Sequence, residues 1–129
     1  MDKKIVTVGY GNVKKVEIGG TLPLAFIGGP CAIENRDHAL FMAEAIAKIC
    51  EKLDIPWIYK SCYDKDCRSS PKSFHGVGID EGLKILSEVR DKFSVPVVSD
   101  FSDASWGAAT GEVCDMVQVP AYLCRQTSI

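Results

Sequence analysis

The chain has 129 residues, with 15 Lys and Arg against 17 Asp and Glu and a formal net charge of −2. This length supports one domain with its own core, and the nearly balanced charge argues against a protein that binds nucleic acid through a basic surface. No run of about 18 apolar residues predicts a membrane span, and residues 1–5 lack the pattern of a signal peptide, so we expect none. The six cysteines are therefore expected to be reduced thiols of a cytoplasmic protein.

The first predicted element is an N-terminal hairpin over residues 1–20. Residues 4–8 are rich in β-formers, residues 9–12 carry turn residues, and residues 13–18 alternate again. Gly19-Gly20 then interrupts the pattern.

The remainder, residues 21–129, alternates short apolar runs with helical patterns. Strands are predicted over residues 24–28, 56–60, 95–99 and 115–119. Helices are predicted over residues 37–53, 79–93 and 105–113. Asp37 is the predicted N-cap of the first helix, and Asp103 or Ser105 opens the third.

Two further expectations concern the first helix and the longest loop. Leu40, Met42, Ala43, Ile46, Ile49 and Cys50 are predicted to face the core. A polar loop is expected over residues 61–78.

Strands separated by helices in this rhythm predict βαβ units and a parallel sheet. The periodicity alone does not distinguish an open doubly wound sheet from part of a (β/α)₈ barrel. A complete barrel needs about 200–250 residues and eight strands, whereas this pattern predicts four strands behind the hairpin.

Polar and charged residues follow the carboxyl ends of all four predicted strands. The ends of parallel strands meet at one edge, where α/β proteins build their sites. Lys60, Lys65, Arg68 and Arg125 bring four cations there. Since Arg and Lys both bind phosphate, we expect an anionic, phosphorylated small substrate.

Four stretches carry a family resemblance. They are Gly29-Pro30-Cys31-Ala32-Ile33-Glu34, Tyr63-Asp64-Lys65-Asp66-Cys67-Arg68-Ser69-Ser70, Ser73-Phe74-His75-Gly76-Val77-Gly78 and Gln118-Val119-Pro120-Ala121-Tyr122-Leu123-Cys124-Arg125-Gln126-Thr127. In order and spacing they resemble the 3-deoxy-octulosonate-8-phosphate synthases. The resemblance implies a (β/α)₈ TIM barrel, here its first four units. It also implies a homo-oligomer, usually a tetramer, that joins phosphoenolpyruvate to arabinose 5-phosphate and releases phosphate.

The resemblance also implies roles for single residues. Lys60 and Lys65 correspond to lysines that line the phosphoenolpyruvate site, with Asp100 beside the reacting centre. Gln118 and Arg125 match residues of the same pocket. Arg68 and Ser69 match residues that hold the sugar phosphate in a neighbouring subunit's site.

A divalent metal is a further implication of the resemblance. Cys31 occupies the place of the cysteine that distinguishes metal-dependent members, whose other ligands, a His, a Glu and an Asp, come from the second half of the barrel. Cys31 alone does not make a competent metal site.

Three stretches depart from the family pattern. The usual Lys-Ala-Asn-Arg-Ser-Ser reads Lys65-Asp66-Cys67-Arg68-Ser69-Ser70 here, so Cys67 stands at a substrate-binding position. Where the family usually has Ser-Phe-Arg-Gly-Pro-Gly, this chain has His75 in place of Arg and Val77 in place of Pro. Where the family usually has Thr-Asp-Val-His-Glu, this chain has Ser102 in place of His.

Two alternatives stay open. The sister 3-deoxy-heptulosonate-7-phosphate synthases share the Gly-Pro-Cys opening and a pattern that residues 68–74 fit. The second alternative is a catalytically silent half-barrel, because four open βα units expose two unpaired strand edges. We expect no synthase activity from the isolated chain.

Overall fold

The computed structural model describes residues 4–129 and contains two sheets. The strands β1 (Ile5–Val8) and β2 (Val16–Gly19) pair antiparallel. The remaining elements are β3 (Phe26–Gly28), α1 (Arg36–Leu53), β4 (Trp57–Lys60), α2 (Ile79–Phe93), β5 (Val97–Asp100), a 3₁₀ turn (Ala104–Trp106), α3 (Gly107–Val113) and β6 (Met116–Gln118). The strands β3, β4, β5 and β6 form a parallel sheet in chain order.

The parallel sheet has two differently covered faces. Trp57, Tyr59 and Val97 belong to a core that also contains residues of α1 and α2, and Val113 of α3 packs against this core. Ile58 and Val98 pack instead with Val8 and Val16 of the antiparallel pair. Successive side chains of a strand point to opposite faces, so the helices cover one face and the antiparallel pair covers the other. A doubly wound sheet carries helices on both faces, whereas the helices here cover only one face of the four-stranded parallel sheet.

Helix α1 begins earlier than the sequence pattern predicts. The side chain of Asn35 accepts a hydrogen bond from the backbone N–H of His38 at 2.8 Å, which makes Asn35 the N-cap. The prediction that Asp37 is the cap is therefore wrong, and Asp37 lies in the first turn, where its charge complements the helix dipole. The Asp103 side chain accepts a hydrogen bond from the backbone N–H of Ser105 and so caps the 3₁₀ turn. Of the two predicted caps, Asp103 and Ser105, the structure has Asp103.

The inward face of α1 is narrower than predicted. Ala39, Leu40, Ala43 and Cys50 are buried, but Ile49 is 58% exposed, so its predicted core position is wrong. Neighbouring residues of a helix are turned by about 100°, and a helix that packs on a single sheet buries only one stripe. No helix within residues 4–129 combines the length and apolar character that crossing a membrane requires.

The long segment between β4 and α2 is not uniformly polar. Ser61, Cys62 and Tyr63 are buried, which corrects the prediction of a polar loop from residue 61 onward. The Tyr63 hydroxyl hydrogen-bonds the Thr110 hydroxyl at 2.8 Å. Gly82 lets α2 approach this tyrosine, because a Cβ atom at that position would lie 2.1 Å from the Tyr63 Cβ.

A buried ion pair fastens the antiparallel strands to the amino end of the parallel sheet. Asp115, directly before β6, accepts hydrogen bonds from Arg90 Nε at 2.9 Å and Arg90 Nη2 at 3.0 Å. It also accepts from the backbone N–H groups of Tyr10 and Val97. Arg90 lies over the Tyr10 ring at 4.1 Å, so one carboxylate joins four segments of the chain.

Candidate active site

The carboxyl ends of β4 and β6 bring two predicted site residues into contact. Lys60 is the last residue of β4 and Gln118 the last of β6. The Lys60 ammonium donates a hydrogen bond to Gln118 Oε1 at 2.6 Å. Lys60 alternates with Tyr59 along its strand, so its side chain shares the face of Ile58 and not that of the helices.

A second pair lies beside the first. Asp100 ends β5 opposite Gln118 in the strand register. One of its carboxylate oxygens lies 3.7 Å from Lys65 Nζ, with only 18% of the lysine and 11% of the aspartate side chain exposed. The other oxygen, Asp100 Oδ1, is buried without a hydrogen-bond partner among the described residues.

The Cys62 thiol completes this arrangement and was not among the predicted site residues. Lys65 Nζ lies 3.3 Å from Cys62 Sγ. Burial, reinforced by the nearby Asp100 carboxylate, raises the pKa of Cys62 to about 11, so the thiol is neutral at pH 7. Burial lowers the pKa of Lys65, whereas its contacts with Cys62 and Asp100 raise it. The contacts have the larger effect, so the pKa of Lys65 lies above its usual value. Lys65 is therefore an ammonium at neutral pH.

The segment after β3 continues the pairing with β4 and fixes Cys31. The backbone N–H of Cys62 donates to the Cys31 carbonyl at 3.3 Å, and that of Ile33 donates to the Cys62 carbonyl at 2.9 Å. The Ser61 hydroxyl donates to the Pro30 carbonyl at 2.7 Å. Cys31 itself is exposed, at the rim beside Lys65, whose pKa it helps to raise.

Four of the predicted site residues are not drawn into this cluster. Cys67, Arg68 and Ser69 are exposed on the loop after β4, and Arg125 is exposed in a turn after β6. Among the side-chain contacts described for residues 4–129, none joins these four residues to Lys60 or Lys65. The structure thus assembles Lys60, Lys65, Asp100 and Gln118, and leaves the predicted sugar-phosphate residues on the surface.

Metal-ligating side chains converge at a different place from the one predicted. Asp64, Asp66 and His75 bring their ligand atoms within 4.8 Å of one another. Cys31 belongs to no such group of three within residues 4–129. A metal held by Cys31 would therefore require ligands other than the described residues.

A cavity of about 540 Å³ lies at the opposite end of the sheet. It is bordered by the second antiparallel strand and by the C-terminal ends of α1 and α2, and includes Lys15, Cys50, Asp54 and Ser94. We place the candidate site at the carboxyl edge, because two partly buried ammonium groups that can bind an anion converge there with the Gln118 amide and the buried Asp100 carboxylate.

Comparison with known proteins identifies the family of the chain. The family model described as the DAHP synthetase I family matches residues 5–129. A 2-dehydro-3-deoxyphosphooctonate aldolase of Rickettsia rickettsii (strain Sheila Smith) is 50% identical over 117 residues, which are 91% of this chain and 43% of the relative. The protein of the same name from Koribacter versatilis is also 50% identical, over 91% of this chain and 42% of its own length.

The Rickettsia felis protein of that name is 48% identical over the same share of this chain. The chain thus spans somewhat less than half the length of the curated relatives that it matches. The match to the family model extends over nearly all residues, and the chain belongs to the DAHP synthetase I family.

Proposed function

We propose that the chain contributes the phosphoenolpyruvate-binding part of a 3-deoxy-octulosonate-8-phosphate synthase, with arabinose 5-phosphate as the second substrate. The observation that carries this proposal is the convergence of two partly buried lysine ammonium groups, Lys60 and Lys65, on the carboxyl edge of the sheet. The relatives that are 50% identical to the chain are named 2-dehydro-3-deoxyphosphooctonate aldolase, which supports the same reaction class.

The two ammonium groups suit a ligand with two anionic ends. Lys60 hydrogen-bonds the neutral amide of Gln118, so its charge is oriented but not neutralised. Lys65 faces Asp100 at 3.7 Å, a weak contact that a phosphate oxygen could replace. A lysine ammonium has three donors, and each lysine keeps donors for the phosphate or carboxylate of phosphoenolpyruvate.

Asp100 is the residue we assign to the reacting centre. Joining phosphoenolpyruvate to an aldehyde with release of inorganic phosphate consumes one water molecule. The unpartnered oxygen Asp100 Oδ1 can accept a hydrogen bond from that water or from the sugar hydroxyl. A divalent metal held in part by Cys31 would orient the aldehyde or activate a water.

We further infer that the four parallel strands are the first half of a (β/α)₈ barrel. The chain-order sheet and the helices on a single face support this inference. Exposed apolar side chains border both edges of the sheet: Leu24, Phe26 and Ile27 at one edge, and Val117 and Val119 at the other. Such exposure is expected if further βα units of the barrel cover these strands. The exposed Arg68 and Ser69 are consistent with a role at a subunit boundary.

A chimera tests the proposed reaction. The matching 117 residues of the Rickettsia rickettsii relative are replaced by those of this chain, and phosphate release from phosphoenolpyruvate is measured with arabinose 5-phosphate and with erythrose 4-phosphate. The variants Lys60→Met and Asp100→Asn are compared with Lys48→Met, which changes an exposed helix lysine. The isolated chain is assayed in parallel, and we expect no turnover from it.

We expect the chimera to turn over the pentose phosphate. Lys60→Met and Asp100→Asn should reduce this turnover, and Lys48→Met should leave it unchanged. Loss of a charge-assisted contact of about 1.5–3 kcal/mol corresponds to a decrease of roughly 10- to 100-fold in kcat/KM. A preference for the tetrose phosphate would assign the heptulosonate activity instead. A folded chimera without turnover on either acceptor would refute the proposed function.

A further inference from the structure

We propose that Asp64, Asp66 and His75 form a binding site for one divalent transition-metal ion, separate from Cys31. These residues lie on the loop between β4 and α2, and none of them was among the predicted site residues. The inference concerns ion binding alone and does not rest on the proposed reaction.

The three ligand atoms have the spacing that an ion requires. His75 Nδ1 lies 3.7 Å from Asp64 Oδ1 and 3.9 Å from Asp66 Oδ1, and all three atoms fall within 4.8 Å of one another. Ligands about 2.1 Å from a metal lie roughly 3.0–4.2 Å apart in tetrahedral or octahedral geometry. A small inward shift of the two carboxylates completes the arrangement.

The same distances argue against simple hydrogen bonding among the three groups. Nitrogen–oxygen hydrogen bonds are about 2.7–3.2 Å long, shorter than either His75 contact. The imidazole therefore faces two carboxylate oxygens across gaps too wide for direct bonds. An ion between them would satisfy all three groups at once.

The loop already holds the ligands in place. The Ser102 hydroxyl donates to Asp64 Oδ2 at 3.1 Å, which leaves Asp64 Oδ1 directed toward His75. The backbone N–H of Lys65 donates to the His75 carbonyl at 2.6 Å. Outer hydrogen bonds of this kind orient metal ligands and strengthen binding.

The donor set indicates the class of ion. Two carboxylates and one imidazole suit Zn²⁺, Co²⁺ or Mn²⁺, whereas Mg²⁺ prefers oxygen ligands and retained waters. Three protein ligands leave at least one position for water. In the family pattern described above, Ala and Arg stand at the positions of Asp66 and His75, so two departures from that pattern meet at one point in space.

Zinc binding to the chain tests the proposal without any substrate. Isothermal titration with Zn²⁺ is carried out on a background in which the exposed cysteines Cys31, Cys67 and Cys124 are changed to Ser, which removes adventitious thiolate ligands. His75→Gln and Asp66→Asn are compared in this background with His38→Gln, which alters the other of the chain's two histidines. Far-UV circular dichroism without metal verifies that each variant is folded.

The expected result is one equivalent of Zn²⁺ in the Ser background, retained in His38→Gln. Because outer-shell changes alone cost about 10–100-fold in metal affinity, removing a ligand in His75→Gln or Asp66→Asn should weaken binding at least tenfold. Co²⁺ bound to the same background should lack the thiolate-to-metal absorption of a cysteine site. Zinc binding that is absent from the Ser background, or unchanged in folded His75→Gln, would overturn the proposal. The synthase assay has no bearing on either outcome.

Discussion

Two buried ion pairs lie at opposite ends of the parallel sheet, and their partners are satisfied to very different degrees. At the amino end, each carboxylate oxygen of Asp115 accepts two hydrogen bonds, and the side chain is fully buried. At the carboxyl end, Asp100 lies 3.7 Å from Lys65, and its second oxygen has no partner within the described residues.

The difference is the one expected between a structural pair and the pair that we propose binds a ligand. A buried charge is costly unless hydrogen bonds replace its hydration, and Asp115 obtains that replacement from the folded chain. The bond to Asp115 raises the pKa of Arg90 above its ordinary value. Asp100 and Lys65 lack such replacement, which is the arrangement expected where a substrate supplies the missing partners.

The largest expected effect comes from an isosteric Asn substitution at Asp115. In Asp115→Asn an amide NH₂ would face two N–H donors, and Arg90 would remain buried without its counter-charge. Breaking a buried pair costs about 3–5 kcal/mol, so we expect a loss of about 3 kcal/mol in the free energy of unfolding. Urea unfolding followed by circular dichroism measures it.

Asp100→Asn is the matched control for this effect. Its carboxylate has a single long contact and an unpartnered oxygen. Asn removes that contact but also removes the cost of a buried charge that lacks hydrogen bonds, so we expect the unfolding free energy to change by less than about 1 kcal/mol. Equal losses for the two variants would show that both pairs are structural and would remove the basis of the comparison.

A smaller effect is expected on anion affinity when the cations are exchanged for Met. Lys60→Met should weaken phosphoenolpyruvate binding about 10- to 100-fold, because a charge-assisted contact contributes about 1.5–3 kcal/mol. Its stability should change little, since the remaining partner, Gln118, is neutral. Calorimetric titration of the chain with phosphoenolpyruvate provides the affinity.

Arg90→Met should show the opposite behaviour. We expect a lower unfolding free energy and, in the folded fraction, unchanged phosphoenolpyruvate affinity, because Arg90 binds Asp115 and Tyr10 at the other end of the sheet. Lys48→Met, on the exposed side of α1, should alter neither quantity. An affinity loss in Arg90→Met as large as that in Lys60→Met would contradict the division of roles.

The order of strands and helices was predictable because each βα unit carries its own local pattern. The helices and strands lie within a few residues of the predicted bounds, since strand and helix periods differ and Pro or Gly separates them. The errors arose where a local pattern offered two solutions. Asn35 and Asp37 are both good N-caps, and Ile49 adjoins the buried Cys50 on α1.

The candidate site was predictable only as far as strand ends determine it. Lys60 and Gln118 are 58 residues apart, and their expected proximity followed from parallel strands meeting at one edge. No comparable rule predicts which contacts the loop over residues 61–78 makes. The convergence of Asp64, Asp66 and His75 and the exposure of Arg68 depend on how residues 61–78 fold, which no periodicity specifies.

The smallest expected effect concerns a buried thiol beside each ion pair. Burial raises the pKa of Cys114, next to Asp115, to about 12, and that of Cys62, beside Lys65 and Asp100, to about 11. Unfolded thiols titrate near their ordinary value of 9.0. The unfolded chain therefore loses these protons first as the pH rises.

The contribution of each thiol to the free energy of unfolding should be fully present below pH 9. It should decline as the pH rises toward 11 for Cys62 and toward 12 for Cys114. At pH 10 the loss is about 1 kcal/mol per thiol, measured as a shift of the urea midpoint between pH 8 and pH 10. Cys114→Ala and Cys62→Ala should each flatten this dependence, whereas the exposed Cys124→Ala should leave it unchanged. A dependence that survives both changes would mean that other groups, such as the buried Tyr59 with its pKa of about 12, control the alkaline limit. Neither ion pair would then be coupled to thiol ionisation, and the two ends of the sheet would differ in hydrogen bonding alone.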